Sequence, residues 1–157
     1  MAQEVERKFL VLGPYKHLAT SAVRVVQGFL NTAPERTVRI RVMGEQGYLT
    51  VKGPSIDGVS RFEWEQPIAQ HEALQLLALC EPGIIDKTRH RVPVGRHTFE
   101  VDEFHGDNQG LTVAEVELAN PDEAFERPSW LGAEVTHDPR YLNSMLAKHP
   151  FKLWGND

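Results

Sequence analysis

The chain has a single cysteine, Cys80, so no disulfide can form within it. A reducing compartment is therefore expected. No apolar run approaches the roughly 18 residues that a membrane-crossing helix needs. The first residues lack the charged-then-apolar pattern of a secretion signal. A cytoplasmic protein with no membrane partner is the expectation. Positive charge is also scarce: 17 Lys and Arg stand against 22 Asp and Glu, a net charge of −5. General nucleic-acid binding needs a basic footprint, so no nucleic-acid partner is expected, although a local basic pocket for a small anion stays open. No Gly-x-x-x-x-Gly-Lys-Ser/Thr loop occurs, which excludes a P-loop enzyme. The seven histidines are scattered without metal-ligand spacing and read as surface or structural residues.

What the chain does have is alternation. Its 157 residues, 41% hydrophobic and 25% charged, suit one soluble globular domain over 1–157. Residues 3–11 place Glu4, Glu6 and Lys8 on one face of a strand and Val5, Arg7 and Phe9 on the other. Similar strands are expected over 23–30, with Val25, Gln27 and Phe29 on one side, and over 36–43, with Arg39 and Arg41 opposite Val38, Ile40 and Val42. Strands over 48–53 (Thr50, Lys52), 60–67 (Arg61, Glu63, Glu65) and 84–92 (Ile85, Lys87, Arg89, Arg91) repeat the pattern. So do 97–104 (Glu100, Asp102) and 111–119 (Glu115, Glu117). The period changes to helical over 69–80, stopped by Pro82-Gly83. A short helix is expected over 121–126 and loop over 128–134. A last helix starts at Asp138-Pro139 and presents Leu142, Met145 and Leu146 to an apolar surface. Trp130 and Trp154, in loop and tail, receive no role.

Tight turns imply antiparallel neighbours, and about eight such strands close into a barrel. The fold class is mainly β (α+β), an eight-stranded antiparallel β-barrel with a few flanking helices. Two geometries satisfy the alternation. Either the apolar face fills the barrel and the charges meet water, or the charges line a wet tunnel and the apolar face is covered outside. Periodicity leaves both open. Two features favour the tunnel. Arginine suits bidentate phosphate contacts, and paired carboxylates such as Glu4/Glu6 and Glu115/Glu117 suit a hard divalent cation. Acids and bases also segregate by strand, giving separate cationic and anionic sectors.

Glu4-Val5-Glu6-Arg7-Lys8 resembles the Glu-x-Glu-x-Lys signature of the CYTH superfamily, the triphosphate tunnel metalloenzymes. Arg39-x-Arg41, Thr50-x-Lys52, Arg61-x-Glu63-x-Glu65, Lys87-x-Arg89, Glu100-x-Asp102 and Glu115-x-Glu117 follow in the family's order. Glu134-Val135-Thr136 and Asp138-x-Arg140-Tyr141 resemble the tail of its small bacterial members. The resemblance implies a tunnel with the charges inside and an activity on a small-molecule triphosphate with Mg²⁺ or Mn²⁺. It implies that Lys8, Arg39, Arg41, Lys52, Arg61, Lys87 and Arg89 bind phosphates. Glu4, Glu6, Asp102, Glu115 and Glu117 are the implied metal ligands. Lys8, Glu63 and Glu65 are the implied catalytic residues. The implied function is a triphosphatase acting on inorganic, nucleoside or thiamine triphosphate. A class IV-type adenylyl cyclase is the alternative within the family, and a non-enzymatic polyphosphate- or nucleotide-binding module the alternative outside it. Many small relatives carry tyrosine where this chain has Phe29, so a Lys8–tyrosine pair is unavailable from that position and Lys8 is read as a phosphate ligand. The apolar outer face fits a homodimer.

Overall fold

The structure is a computed structural model that describes residues 3–156. Nine strands form one antiparallel sheet: β1 (Gln3–Val11), β2 (Ser21–Asn31), β3 (Thr37–Met43), β4 (Gln46–Ser55), β5 (Ser60–Ile68), β6 (Ile85–Val94), β7 (His97–Phe104), β8 (Thr112–Glu117) and β9 (Leu131–Glu134). Their order is β5-β4-β3-β2-β6-β7-β8-β1-β9, and β1 also pairs with β5, which closes the barrel. Gln3 to Val5 pair with β5, while Glu6 to Leu10 pair with β8. Two helices flank the sheet, α1 (Gln70–Leu77) and α2 (Asn143–Lys148). The β3–β4 and β6–β7 hairpins turn on Gly44-Glu45 and Gly95-Arg96. Both glycines have φ of 60°, the left-handed value that a side chain disfavours.

The alternation resolves with the charges inside. The apolar face therefore points outward and must be covered. Over β2, β3 and β4 the cover is α1. It approaches so closely that a Cβ on Gly47 would lie 2.7 Å from the Ala73 Cβ. Over β1, β6, β7 and β8 the cover is irregular chain. Tyr15, Phe125 and Trp130 pack on Val5, Phe9, Val92, Phe99, Val101 and Val116. A second cluster, Ile85, Phe104, Leu111, Val113, Tyr141 and Leu146, includes inward-facing strand residues and closes one end of the barrel. Phe62 and Trp64 on the outside of β5 stay 49% and 45% exposed.

Four local expectations change. The 128–134 segment is not all loop: β9 forms because the far half of β1 has backbone groups to satisfy. Leu12 N donates to the Trp130 carbonyl and Val135 N to that of Lys8. Residues 121–126 are not helical. Asn120 Oδ1 accepts from Asp122 N, and the Glu123 carboxylate accepts from Ala119 N while meeting His97, so side chains compete with a helix for the backbone. Helix α1 ends at Leu77, short of residue 80. The Asp138-Pro139 start makes a single 3₁₀ turn, Pro139–Tyr141, in which Asp138 accepts from Arg140 N. The helix proper begins at Asn143. Of its apolar residues Leu146 is fully buried, whereas Met145 is 38% exposed.

Candidate active site

Strand pleat decides which side chains meet inside the barrel. The registers Lys8↔Glu115 and Glu6↔Glu117 join the first strand to the eighth. Glu4↔Arg61 joins it to the fifth, Lys52↔Glu63 joins β4 to β5, and Arg89↔Asp102 joins β6 to β7. Directly opposed residues share a face, so these pairings bring the charged alternates of six strands together, and Arg39↔Thr50 adds those of β3. They line a cavity of about 230 Å³ that includes every expected site residue except Asp102. Asp102 lies just behind it, 1% exposed, under Lys87 and Arg89.

One side of the cavity is acidic. Glu4 accepts from Lys52 Nζ at 3.0 and 3.1 Å and lies 3.6 Å from Arg61 Nε. Burial works to raise its pKa, but Lys52, a hydrogen bond from Glu63 and Arg61 hold it down to about 2. Lys8 Nζ reaches Glu115 at 3.2 Å and Glu6 at 3.5 Å. Burial disfavours the Lys8 ammonium, yet Glu115 and Glu6 keep its pKa above the ordinary value. Glu6 is pushed well above the usual carboxylate range by burial and by its neighbours Glu115 and Glu4. Glu63 is raised by burial and by Glu4, and Glu117, at the exposed rim, by burial, Glu4 and Glu100. Glu65 accepts from the Thr50 hydroxyl at 2.8 Å and lies 3.5 Å from Arg39.

The other side is cationic. Arg89 makes a two-pronged contact with Asp102, at 2.8 and 2.9 Å. Lys87 Nζ lies 2.8 Å from the same carboxylate. Burial, with Arg89 and Arg41 nearby, lowers Lys87 to about 7 against the pull of Asp102. Arg41 is different. Its Nε donates to the neutral Gln27 Oε1 at 2.8 Å, and among the described residues no carboxylate forms an ion pair with it. Burial and the neighbouring Arg39 and Arg89 lower it to about 9. Arg39 Nε is buried with no hydrogen-bond partner among the described residues. This sector therefore carries unmatched positive charge and an unmet donor, and both suit a polyanion.

Three contributors were not singled out as site residues by their sequence. Gln27, fully buried, shares the inward face of β2 with Val25 and Phe29, so alternation offered a signal. Thr50 had the same kind of signal beside Lys52. Asn143 had none. It enters the tunnel from the first turn of α2, and its Oδ1 accepts from Lys87 Nζ and from Gln27 Nε2, both at 2.8 Å. Phe29 lines the tunnel wall opposite Arg39 in the register. A second, more apolar cavity of about 320 Å³ adjoins the acidic side. Pro34, Val59, His137, Pro139, Leu142 and Met145 are among its walls.

Glu4, Glu6, Glu115 and Glu117 offer only carboxylate oxygens, the donor type that Mg²⁺ and Mn²⁺ prefer. Among the described residues no group of three His, Cys, Asp or Glu side chains is already gathered around a cation position. Glu4 is instead turned to Lys52 and Glu115 to Lys8. Glu6 is nonetheless short of positive charge, as its raised pKa records. A divalent ion would supply that charge, so the donor set fits one.

The CYTH domain model matches residues 2–147. An inorganic triphosphatase of Acetivibrio thermocellus is 47% identical over 154 residues, covering 97% of each chain. An inorganic triphosphatase of Nitrosomonas europaea is 38% identical over 149 residues, covering 92% of this chain and 96% of that one. A crystal structure of an inorganic triphosphatase superposes with a TM-score of 0.67 at 34% identity, over 94% of this chain and 95% of that one.

Proposed function

The chain belongs to the CYTH family, and on that premise we propose that it is a divalent-metal-dependent triphosphatase whose substrate is inorganic triphosphate. The observation that carries this reading is the division of one cavity into an acidic side and a cationic side with uncompensated charge. A triphosphate needs both, because phosphoryl transfer is catalysed mainly by positioning and electrostatics.

In this reading Arg39, Arg41, Lys87 and Arg89 bind the phosphate chain and hold it along the tunnel. Lys8, Lys52 and Arg61 complete the grip beside the acids. Glu4, Glu6, Glu115 and Glu117 would hold Mg²⁺ or Mn²⁺; Asp102, expected among the ligands, has both oxygens engaged by Arg89 and Lys87 and orders those two cations instead. The bound ion supplies charge neutralisation at phosphate oxygens. Glu63, whose raised pKa suits a base, accepts a proton from the attacking water on its carboxylate. Glu65, tied to Thr50 and Arg39, orients that water. Water oxygen bonds to the terminal phosphorus, the bond from that phosphorus to the bridging oxygen breaks, and orthophosphate and pyrophosphate leave. Lys8 neutralises charge that builds on the reacting group. The apolar second cavity gives room for the organic part of a nucleoside or thiamine triphosphate, which supports these as additional substrates.

Three wider expectations belong to the same reading: one functional domain over 1–157, a cytoplasmic setting, and a homodimer through the face that bears Phe62 and Trp64. Cys80 as sole thiol supports the second, and the exposure of those two rings the third. Among the described residues no helix is long and apolar enough to cross a membrane.

The test is phosphate release from inorganic triphosphate, ATP and thiamine triphosphate, side by side, with Mg²⁺, Mn²⁺ and Ca²⁺. Release from inorganic triphosphate with Mg²⁺ or Mn²⁺ is expected. Cyclic AMP and pyrophosphate from ATP would make the protein a cyclase. Tight binding with no turnover in any combination would make it a binding module.

A further inference from the structure

Lys87 is 1% exposed and has two acceptors, each at 2.8 Å: the Asp102 carboxylate and the Asn143 carbonyl oxygen. Asp102 is already divided, since Arg89 takes both of its oxygens. The second acceptor is a neutral amide from another part of the chain. The same Asn143 oxygen accepts from Gln27 Nε2, and the Gln27 oxygen accepts from Arg41 Nε. Lys87 on β6 and Arg41 on β3 are thus joined across β2 by two carboxamides in series. Both cations are buried, and Arg41 raises the cost of the Lys87 charge. Carboxylates at positions 27 and 143 would relieve that repulsion and satisfy the same donors. They would also cancel the charge that draws in a polyanion.

We propose that Asn143 is a positioning residue for the phosphate clamp, holding Lys87 directly and Arg41 through Gln27 without neutralising either. This rests on the triphosphatase reading for the identity of the anion. Asn143 is the first residue of α2, and Gly83 fixes where that helix lies. Gly83 sits at φ +98°, and a Cβ there would be 1.9 Å from the Ala147 carbonyl oxygen. Asn143 therefore carries the C-terminal segment to Lys87 and Gln27 at a depth set by backbone packing.

The experiment compares Asn143→Ala and Asn143→Asp with the wild type, in steady-state hydrolysis of inorganic triphosphate and in calorimetric binding of inorganic triphosphate without turnover in Ca²⁺ or metal-free buffer. Asn143→Ala is expected to raise KM and Kd about tenfold while kcat changes less than about threefold, as for loss of an interaction made equally in ground and transition states. Asn143→Asp keeps the size and the acceptor oxygens, so a merely structural role would leave it close to wild type. A role in holding charge without cancelling it makes Asn143→Asp weaker than Asn143→Ala, by about a further tenfold in Kd. Gln27→Glu is expected to follow Asn143→Asp, and serves if Asn143→Ala does not fold. Wild-type-like affinity in Asn143→Asp, or a fall in kcat with KM and Kd unchanged, would overturn the proposal. If the wild type released no phosphate, the triphosphatase reading would fall, and the calorimetric affinities would still decide the role of Asn143.

Discussion

The Glu6 and Glu115 carboxyls are hydrogen-bonded inside the tunnel, and the interior drives them in opposite directions. Burial, Glu115 and Glu4 push Glu6 well above the usual carboxylate range. Burial also works on Glu115, but Lys8, the hydrogen bond with Glu6, Arg89 and Lys87 hold it well below that range. Lys8 sits between them, 3.2 Å from Glu115 and 3.5 Å from Glu6. Of the two, Glu6 is therefore the carboxyl that the interior makes harder to ionise, and it lies where the proposed cation would bind.

Replacing Glu6 with glutamine should separate stability from activity. The carboxamide keeps the shape and removes a charge that the folded state disfavours. Melting at pH 8 should rise by about 2–4 °C. Metal-dependent phosphate release should fall by about 100-fold or more. Wild-type turnover in Glu6→Gln would remove Glu6 from the site.

Glu4 sets an acid limit on the fold. Its carboxyl titrates near 4.5 when exposed and at about 2 in the folded chain. The folded form is the one that prefers the deprotonated state, so the contribution is complete above pH 4.5 and disappears as pH falls toward 2. A depression of this size is worth on the order of 3 kcal/mol. Thermal unfolding from pH 2 to 7 should show a steep loss of stability in that window. Glu4→Gln should be less stable at pH 7 and should flatten the loss.

Arg41 and Lys52 should behave differently when truncated, although both are expected to touch phosphate. Among the described residues Arg41 forms no ion pair with an acid, and burial with the nearby Arg39 and Arg89 outweighs the more favourable Asp102 and Glu115. Arg41→Ala should raise KM about tenfold and leave the melting temperature within about 3 °C of wild type. Lys52→Ala removes the cation from a buried Glu4, so KM should rise and stability should fall by about 3 kcal/mol. Unchanged kinetics in Lys52→Ala would take Lys52 off the substrate surface.

Gly83→Ala tests how α2 is held. The left-handed φ and the 1.9 Å approach to a backbone oxygen leave no room for a methyl group. A loss of about 2 kcal/mol or more is expected in urea unfolding, with KM raised in parallel as Asn143 is displaced. Wild-type stability would show that α2 can move aside.

Removal of divalent ions with a chelator should abolish phosphate release, and Mg²⁺ or Mn²⁺ should restore it. Folding should be affected little, because Glu4 and Glu115 already have Lys52 and Lys8 as partners. Circular dichroism before and after chelation provides the check.

The charged strands were legible because a period of two is enforced by the pleat: once Glu4, Glu6 and Lys8 share a face, so must Arg39 and Arg41, or Glu115 and Glu117. Which way that face points was not written in the alternation. It was resolved by what covers the other side: α1 over Gly47, and the segments bearing Tyr15, Phe125 and Trp130 over Phe99. β9 escaped notice because four residues carry too little pattern, and its cause is the unmet backbone of β1. The helix expected over 121–126 failed because Asn120 and Glu123 bind backbone amides themselves. Asn143 was invisible for a different reason. Its role depends on the depth of a helix packed against Gly83, and no local spacing encodes a depth.

The first strand closes the barrel from both edges, pairing with β8 on one and with β5 and β9 on the other. Its partners β8 and β9 lie more than a hundred residues further along the chain. A growing polypeptide therefore carries β1 out of the ribosome well before β8: Glu4 can meet Lys52 and Arg61 early, but Glu6 and Lys8 must wait for Glu117 and Glu115. Contacts of such sequence separation form slowly, and the emerging β1 exposes an unpaired edge in the meantime. Charged side chains are one device that blunts such an edge, and β1 carries Glu4, Glu6 and Lys8. The same three residues that line the finished tunnel are thus of the kind that discourages a strand edge from pairing with the wrong partner.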